Sequence, residues 1–188
     1  MEPSLIAAGG GVAGPGVVEM LPDDVINQIA AGEVVERPAS VVKELLDNAL
    51  DAGAATITVE CEAGGKVRIR VTDDGSGMSA ADAQRCFARH ATSKIRALAD
   101  LDDLATMGFR GEAMSSISSV SRTVLTTRRA ADLAATRVVV EHGRVVLVTE
   151  VGAAVGTTVE VSELFGNVPA RLKFLKGCLL YTSDAADE

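Results

Sequence analysis

The chain's 188 residues suffice for one domain with a buried core, and a 47% hydrophobic content carried in alternating valine-rich runs excludes a disordered chain. A net charge of −8 disfavours a domain that grips nucleic acid alone, because phosphate contacts draw on clustered Lys and Arg; any DNA contact is expected to be local or shared with a partner. Cys61, Cys86 and Cys178 lack ligand-like spacing and favour a reduced, cytoplasmic setting over a disulfide or zinc framework, while no apolar run approaches the roughly 20 residues that a membrane-spanning helix needs.

Residues 1–16 are rich in Gly and Ala and lack the basic start and strongly apolar centre of a secretory signal, so a flexible leader is expected. From Leu21 the chain becomes structured: Pro22 suits a first helical turn, Asp23 and Asp24 its positive end, and Gly32 its termination. Pro38 opens a second helix, in which Val41, Val42, Leu45, Leu46, Ala49 and Leu50 recur at helical spacing until Gly53. Next, residues 56–62 and 66–72 alternate apolar with polar around Gly64-Gly65, the pattern of a hairpin. Ser79 with Asp82 predicts a capped helix through about Phe87, and residues 111–120 predict another, with a long mobile segment expected between them.

Residues 123–127, 135–142, 144–151 and 157–161 read as four further strands, with His142-Gly143 as a hairpin turn. Strands adjacent in sequence but separated by helices in the first half predict an α+β two-layer sandwich rather than an alternating parallel sheet, with a mixed, mostly antiparallel sheet and helices on one face.

On the second helix Glu44, Asp47, Asn48 and Asp51 are spaced by three, four and seven and share the face opposite the aliphatic stripe. Like charges so spaced repel by about 0.2–0.5 kcal/mol per pair. No Lys or Arg is expected on that stripe to relieve them, and a bound cation would. The solvated side of an ordinary amphipathic helix carries the same pattern, so periodicity leaves both readings open.

After the second strand comes Asp73-Asp74-Gly75-Ser76-Gly77-Met78, where a carboxylate can accept from an exocyclic amine such as that of adenine and glycines let backbone approach a flat ring; an acidic turn has the same composition. Gly108-Phe109-Arg110-Gly111-Glu112-Ala113-Met114 is a glycine loop running into a helix, whose unsatisfied N–H groups suit phosphate oxygens, although the P-loop ending is absent and a structural turn is the commoner use. Upstream, His90-Ala91-Thr92-Ser93-Lys94 offers hydroxyl, backbone and ammonium donors.

Taken in order, Glu44 with Asn48, Asp73 with Gly75 and Gly77, Gly108 to Gly111, and Gly156-Thr157-Thr158 resemble the four motifs of the GHKL ATPase superfamily. The long strings from Asn27 to Pro38, His90 to Lys94, Gly108 to Ala113 and Phe165 to Arg171 resemble the MutL family of DNA mismatch repair proteins, over residues 17–176. Another GHKL member, such as a topoisomerase, chaperone or sensor kinase, fits the short motifs but not residues 165–171.

The resemblance implies a Bergerat-type sandwich and slow ATP hydrolysis coupled to dimerisation, with ATP and Mg²⁺ as cofactors. It implies that Glu44 is the general base for the attacking water, Asn48 the Mg²⁺ ligand, and Asp73 the adenine reader, helped by Gly77 and Thr157. Thr92, Ser93 and Lys94, with Arg110, Gly111, Glu112, Ala113 and Met114, resemble the phosphate-contacting lid. The implied partners are a second copy in an ATP-dependent homodimer and mismatch-recognition and other repair proteins, with DNA bound weakly or only by the full-length dimer. The implied setting is the bacterial cytoplasm, at the nucleoid during repair. Residues 177–188 depart from the family and are expected to be a non-native or truncated tail. The family's second domain, which sends a lysine to the γ-phosphate, is not recognisable here. A nucleotide-binding or partner-binding module without turnover is therefore the alternative.

Overall fold

A computed structural model of the chain describes residues 34–88 and 112–177, together with Pro22, Ile26, Ile29, Ala31 and Gly32. The leader at 1–16 and the tail from 178 lie outside the described residues.

Helix α1 (Pro38–Asp51) begins on a proline, whose fixed φ is preorganised for a first turn. Its inward face is Val41, Leu45 and Ala49. Leu50, which the spacing assigns to the same stripe, is 52% exposed, because it sits one residue and about 100° round from Ala49 at the helix end. The hairpin of β1 (Ile57–Glu62) and β2 (Arg68–Asp73) closes through a short 3₁₀ turn at Ala63–Gly65. Helix α2 (Ala80–Arg85) is capped as its sequence predicts, with Ser79 Oγ accepting from Asp82 N at 3.1 Å and donating to Asp82 Oδ2 at 2.6 Å; it ends slightly before the expected Phe87.

Helix α3 (Ala113–Ser119) is serine-rich yet buried. Most of the hydroxyls here are satisfied locally: Ser118 Oγ donates to Ser115 O at 3.2 Å, Ser119 Oγ to Ser116 O at 2.8 Å, and the following Ser121 Oγ to Ile117 O at 2.7 Å. Strands β3 (Arg122–Arg128), β4 (Ala135–Glu141), β5 (Arg144–Val151) and β6 (Gly156–Ser162) follow, then α4 (Pro169–Gly177). His142 and Gly143 both take positive φ in the β4–β5 turn, the geometry that matches a two-residue hairpin to strand twist.

The six strands form one sheet in the order β1-β2-β6-β3-β4-β5, and every pairing among the described residues is antiparallel, so the expected mixture of directions reduces to a uniform one. Helices α1, α2 and α3 pack on this sheet, giving the predicted two-layer sandwich. Register arranges the helix-side residues in rows. One row runs Ile69–Val161–Thr123–Val140 and the next Val71–Val159–Leu125–Val138; all eight residues are buried. The third row, at the end of the sheet, is Asp73–Thr157–Thr127–Thr136, polar throughout. The opposite face carries cross-strand ion pairs such as Arg68 with Glu160 at 3.6 Å and Arg122 with Glu141 at 3.2 Å, beside the apolar pair Val124 and Val139.

Before α1, positions 26, 29, 31, 32 and 34 are helical, and Val35 N donates to Ala31 O at 2.7 Å. The first helix therefore does not stop at Gly32. Its glycine serves packing instead: a Cβ there would strike the guanidinium of Arg171 from α4, which donates to Val35 O at 3.2 Å and lies 5.5 Å over the ring of the fully buried Phe165. A residue read as a terminator turns out to be the seat of a tertiary contact.

Candidate functional site

The polar third row is where the sheet stops building core and starts building a site. Asp73, the last residue of β2, is half-buried, and its Oδ1 accepts from Gly75 N at 2.9 Å and from Thr157 N at 3.3 Å. Its other oxygen makes no hydrogen bond among the described residues, and the register places Asp73 in the helix-side row. Burial raises the Asp73 pKa above the ordinary aspartate value, partly opposed by the two backbone N–H groups and reinforced by the neighbouring Asp74 charge. Asp74 behaves differently. It is exposed, and its Oδ1 accepts from Ala55 N and Thr56 N, each at 2.8 Å, which holds its pKa down and ties the β2 end to the chain leaving α1.

Two glycines let the row close. Gly156 has φ +115°, and a Cβ on it would run into the carbonyl of Asp73, with Asp74 Cα 2.9 Å away. Gly77 has φ +65°, and a Cβ on it would meet the backbone carbonyl group of Arg128. β6 and the 74–78 loop thus approach their neighbours more closely than any side chain would permit. Gly75 is buried against Ala52, the residue capping α1, and Ser76 N donates to Ala52 O at 3.0 Å, which seats the loop on the C-terminal end of that helix.

Thr127, fully buried, knits the same loop to the sheet: its hydroxyl accepts from Met78 N at 2.9 Å, donates to Gly156 O at 3.1 Å and lies 3.0 Å from Thr157 Oγ1. Sequence reasoning missed both Thr127 and the structural use of Asp74. In the sequence Thr127 is one more strand threonine, and only the register shows what it faces.

Helix α1 packs against β2 and α3 and carries Glu44 and Asn48. Helix geometry puts Asn48 one turn, about 6 Å, and Glu44 two turns, about 12 Å, along the axis from the Ala52 contact. Both are half-buried, and the Asn48 side-chain amide makes no hydrogen bond among the described residues. The acidic face is not free of cations, contrary to the expectation from spacing: Lys43 Nζ lies 2.8 Å from Asp47 Oδ2 and 3.9 Å from Glu44 Oε1. Its long stem reaches round from the adjacent position to the i+4 carboxylate, which holds the Lys43 pKa up. The charge calling for a bound cation is correspondingly smaller.

Glu112, Ala113 and Met114 form the entry to α3; all three are half-buried, and Met114 packs on the core. Thr92, Ser93, Lys94, Arg110 and Gly111 lie outside the described residues, as does His90. The structure therefore joins Asp73 to Thr157 directly, places Gly77 in the loop that Met78 N ties to Thr127, and seats the helix of Glu44 and Asn48 on that loop. Among the described residues no three carboxylate, His or Cys side chains cluster as a metal cage, and no helix is long and apolar enough to cross a membrane.

Residues 36–152 match the family model of histidine kinase-, DNA gyrase B- and HSP90-like ATPases. The chain is 55% identical over 172 residues to the DNA mismatch repair protein MutL of Heliobacterium modesticaldum, covering 92% of this chain and 26% of that protein. It is 57% identical over 159 residues to MutL of Syntrophus aciditrophicus, covering 85% of this chain and 26% of the other. It thus spans about a quarter of the length of these curated relatives. Among solved structures it resembles the N-terminal domain of a DNA repair protein, with TM-score 0.68, 29% identity and coverage of 83% and 44% of the two chains. It also resembles the Aquifex aeolicus MutL ATPase domain complexed with ADP, with TM-score 0.57, 36% identity and coverage of 76% and 48%.

Proposed function

Because the chain belongs to the family of histidine kinase-, DNA gyrase B- and HSP90-like ATPases, and within it to the MutL ATPase domains of DNA mismatch repair, we propose that its polar sheet row and α1 together bind and hydrolyse ATP. The observation that carries this reading is Asp73: a desolvated carboxylate with one oxygen committed to the backbone and the other without a hydrogen bond among the described residues. An exocyclic amine is the complementary partner, and the ADP complex of the Aquifex aeolicus MutL domain supports an adenine nucleotide as the ligand.

In this reading Asp73 accepts the adenine amine, with Thr157 beside it and Gly77 against the ring. Glu44 orients a water for in-line attack and takes its proton. Asn48, one turn on, offers its carbonyl oxygen to Mg²⁺, which when bound neutralises phosphate charge. Phosphate oxygens and water would supply its remaining ligands. Thr92, Ser93 and Lys94, with Arg110, Gly111, Glu112, Ala113 and Met114, contact the phosphates, and ordering of that lid creates the surface on which a second copy of the full-length protein docks. Mismatch-recognition and other repair proteins engage that dimer in the cytoplasm, at the nucleoid.

Asp73→Asn is the direct test. It keeps the shape of the side chain and replaces a charged acceptor by a neutral amide, and loss of a charge-assisted hydrogen bond of about 1.5–3 kcal/mol weakens ATP binding ten- to a hundred-fold. Calorimetry on the purified chain checks this; unchanged affinity removes Asp73 from the site, and a wild-type chain that binds no adenine nucleotide ends the reading. The same titration has a pH signature. Only the ionised carboxylate accepts without competing, so affinity falls on acidification as pH drops through the Asp73 pKa. Because burial raises that pKa, the loss begins at higher pH than for an ordinary surface aspartate.

A further inference from the structure

We infer that Thr127, which touches no ligand in the reading above, is a positioning residue that sets the base preference of the pocket by fixing the Thr157 hydroxyl as an acceptor beside Asp73. The inference rests on the proposed nucleotide site.

The argument is a count of protons. Thr127 Oγ1 has one hydrogen and two lone pairs, and it has three partners: Met78 N at 2.9 Å, Gly156 O at 3.1 Å and Thr157 Oγ1 at 3.0 Å. An amide N–H only donates and a carbonyl only accepts. The Thr127 proton therefore goes to Gly156 O, one lone pair takes the Met78 N–H, and the other is left for the proton of Thr157. This is the one assignment that satisfies all three contacts. Thr127 is fully buried, so water offers no substitute, and an unmade bond there carries the full desolvation penalty.

Thr157 has its only proton committed to Thr127, so toward a ligand it presents lone pairs alone. Its own N–H is turned to Asp73 Oδ1 at 3.3 Å. The pair Asp73 and Thr157 is thus an all-acceptor edge. It complements the exocyclic amine of adenine and opposes the carbonyl oxygen that guanine carries at the equivalent position. Without the Thr127 hydroxyl, Thr157 is free to turn its proton outward and serve either base.

The test is calorimetric titration of the chain with Mg-ATP and with Mg-GTP in wild type, Thr127→Val and Thr127→Ser. Thr127→Val keeps the branched shape and removes the hydroxyl; the ATP-over-GTP preference is expected to narrow about ten-fold, the worth of one buried hydrogen bond. Thr127→Ser keeps the hydroxyl and is expected to stay within about two-fold of wild type. A residue with a merely structural role lowers both affinities in proportion and leaves the preference unchanged; that result for a folded Thr127→Val protein overturns the inference. If Thr127→Val does not fold, Thr157→Val, which removes the acceptor itself, is expected to narrow the preference by the same factor, and an unchanged preference there overturns it equally. A wild-type chain that binds neither nucleotide instead overturns the underlying function, and the outcomes stay separable.

Discussion

Glu44→Ala is expected to slow ATP turnover of the full-length protein by about 10²–10⁴-fold while leaving nucleotide affinity within about three-fold of wild type. The magnitude is that of removing a positioned general base, and the split follows from place. Glu44 lies two helical turns from the loop that carries the base-reading residues, and its carboxylate is half-buried beside Lys43, 3.9 Å away. Single-turnover phosphate release and equilibrium binding measured on the same protein check the two halves. Loss of binding in step with loss of turnover would make Glu44 a binding or folding residue and would remove it as the base.

Gly156→Ala carries the second large effect. The backbone at this position sits at φ +115°, where a Cβ is strained, and the added methyl also meets the Asp73 carbonyl across the β2–β6 pair. Strain and overpacking of a site that cannot relax each cost about 1–3 kcal/mol. Urea unfolding is expected to show a loss of about 3 kcal/mol or more, and calorimetry a loss of adenine nucleotide binding in whatever remains folded. Wild-type stability in Gly156→Ala would mean that β6 does not enter the sheet against Asp73 as described.

Much of the architecture was legible beforehand because each element carries its own local signal. Pro38 with the spacing of Val41, Leu45 and Ala49 predicts α1, Ser79 with Asp82 predicts the α2 cap, and alternation predicts the six strands. What failed to show was whatever depends on a second stretch of chain. Gly32 looks like a terminator until Arg171 arrives from far along the sequence, and Lys43 looks off the acidic stripe until its stem is extended. Of the site, Asp73, Gly77 and Thr157 were readable from their motifs, and Asp73 and Thr157 pair across adjacent strands. Thr127 was not, because alternation marks it as inward-facing without saying whether it faces core or ligand. Only register, which places it opposite Thr157 and not one residue along, decides that.

Asp73, Thr157 and Thr127 stand on three different strands, and one alignment of β2, β6 and β3 sets Thr157 between the other two. Sliding any of these strands by a single position would turn its buried valines outward and its member of the trio to the far surface together. A one-residue slip therefore cannot leave a sound fold with a damaged pocket. For slips of that kind, competence to recognise the ligand doubles as a proofread of correct assembly.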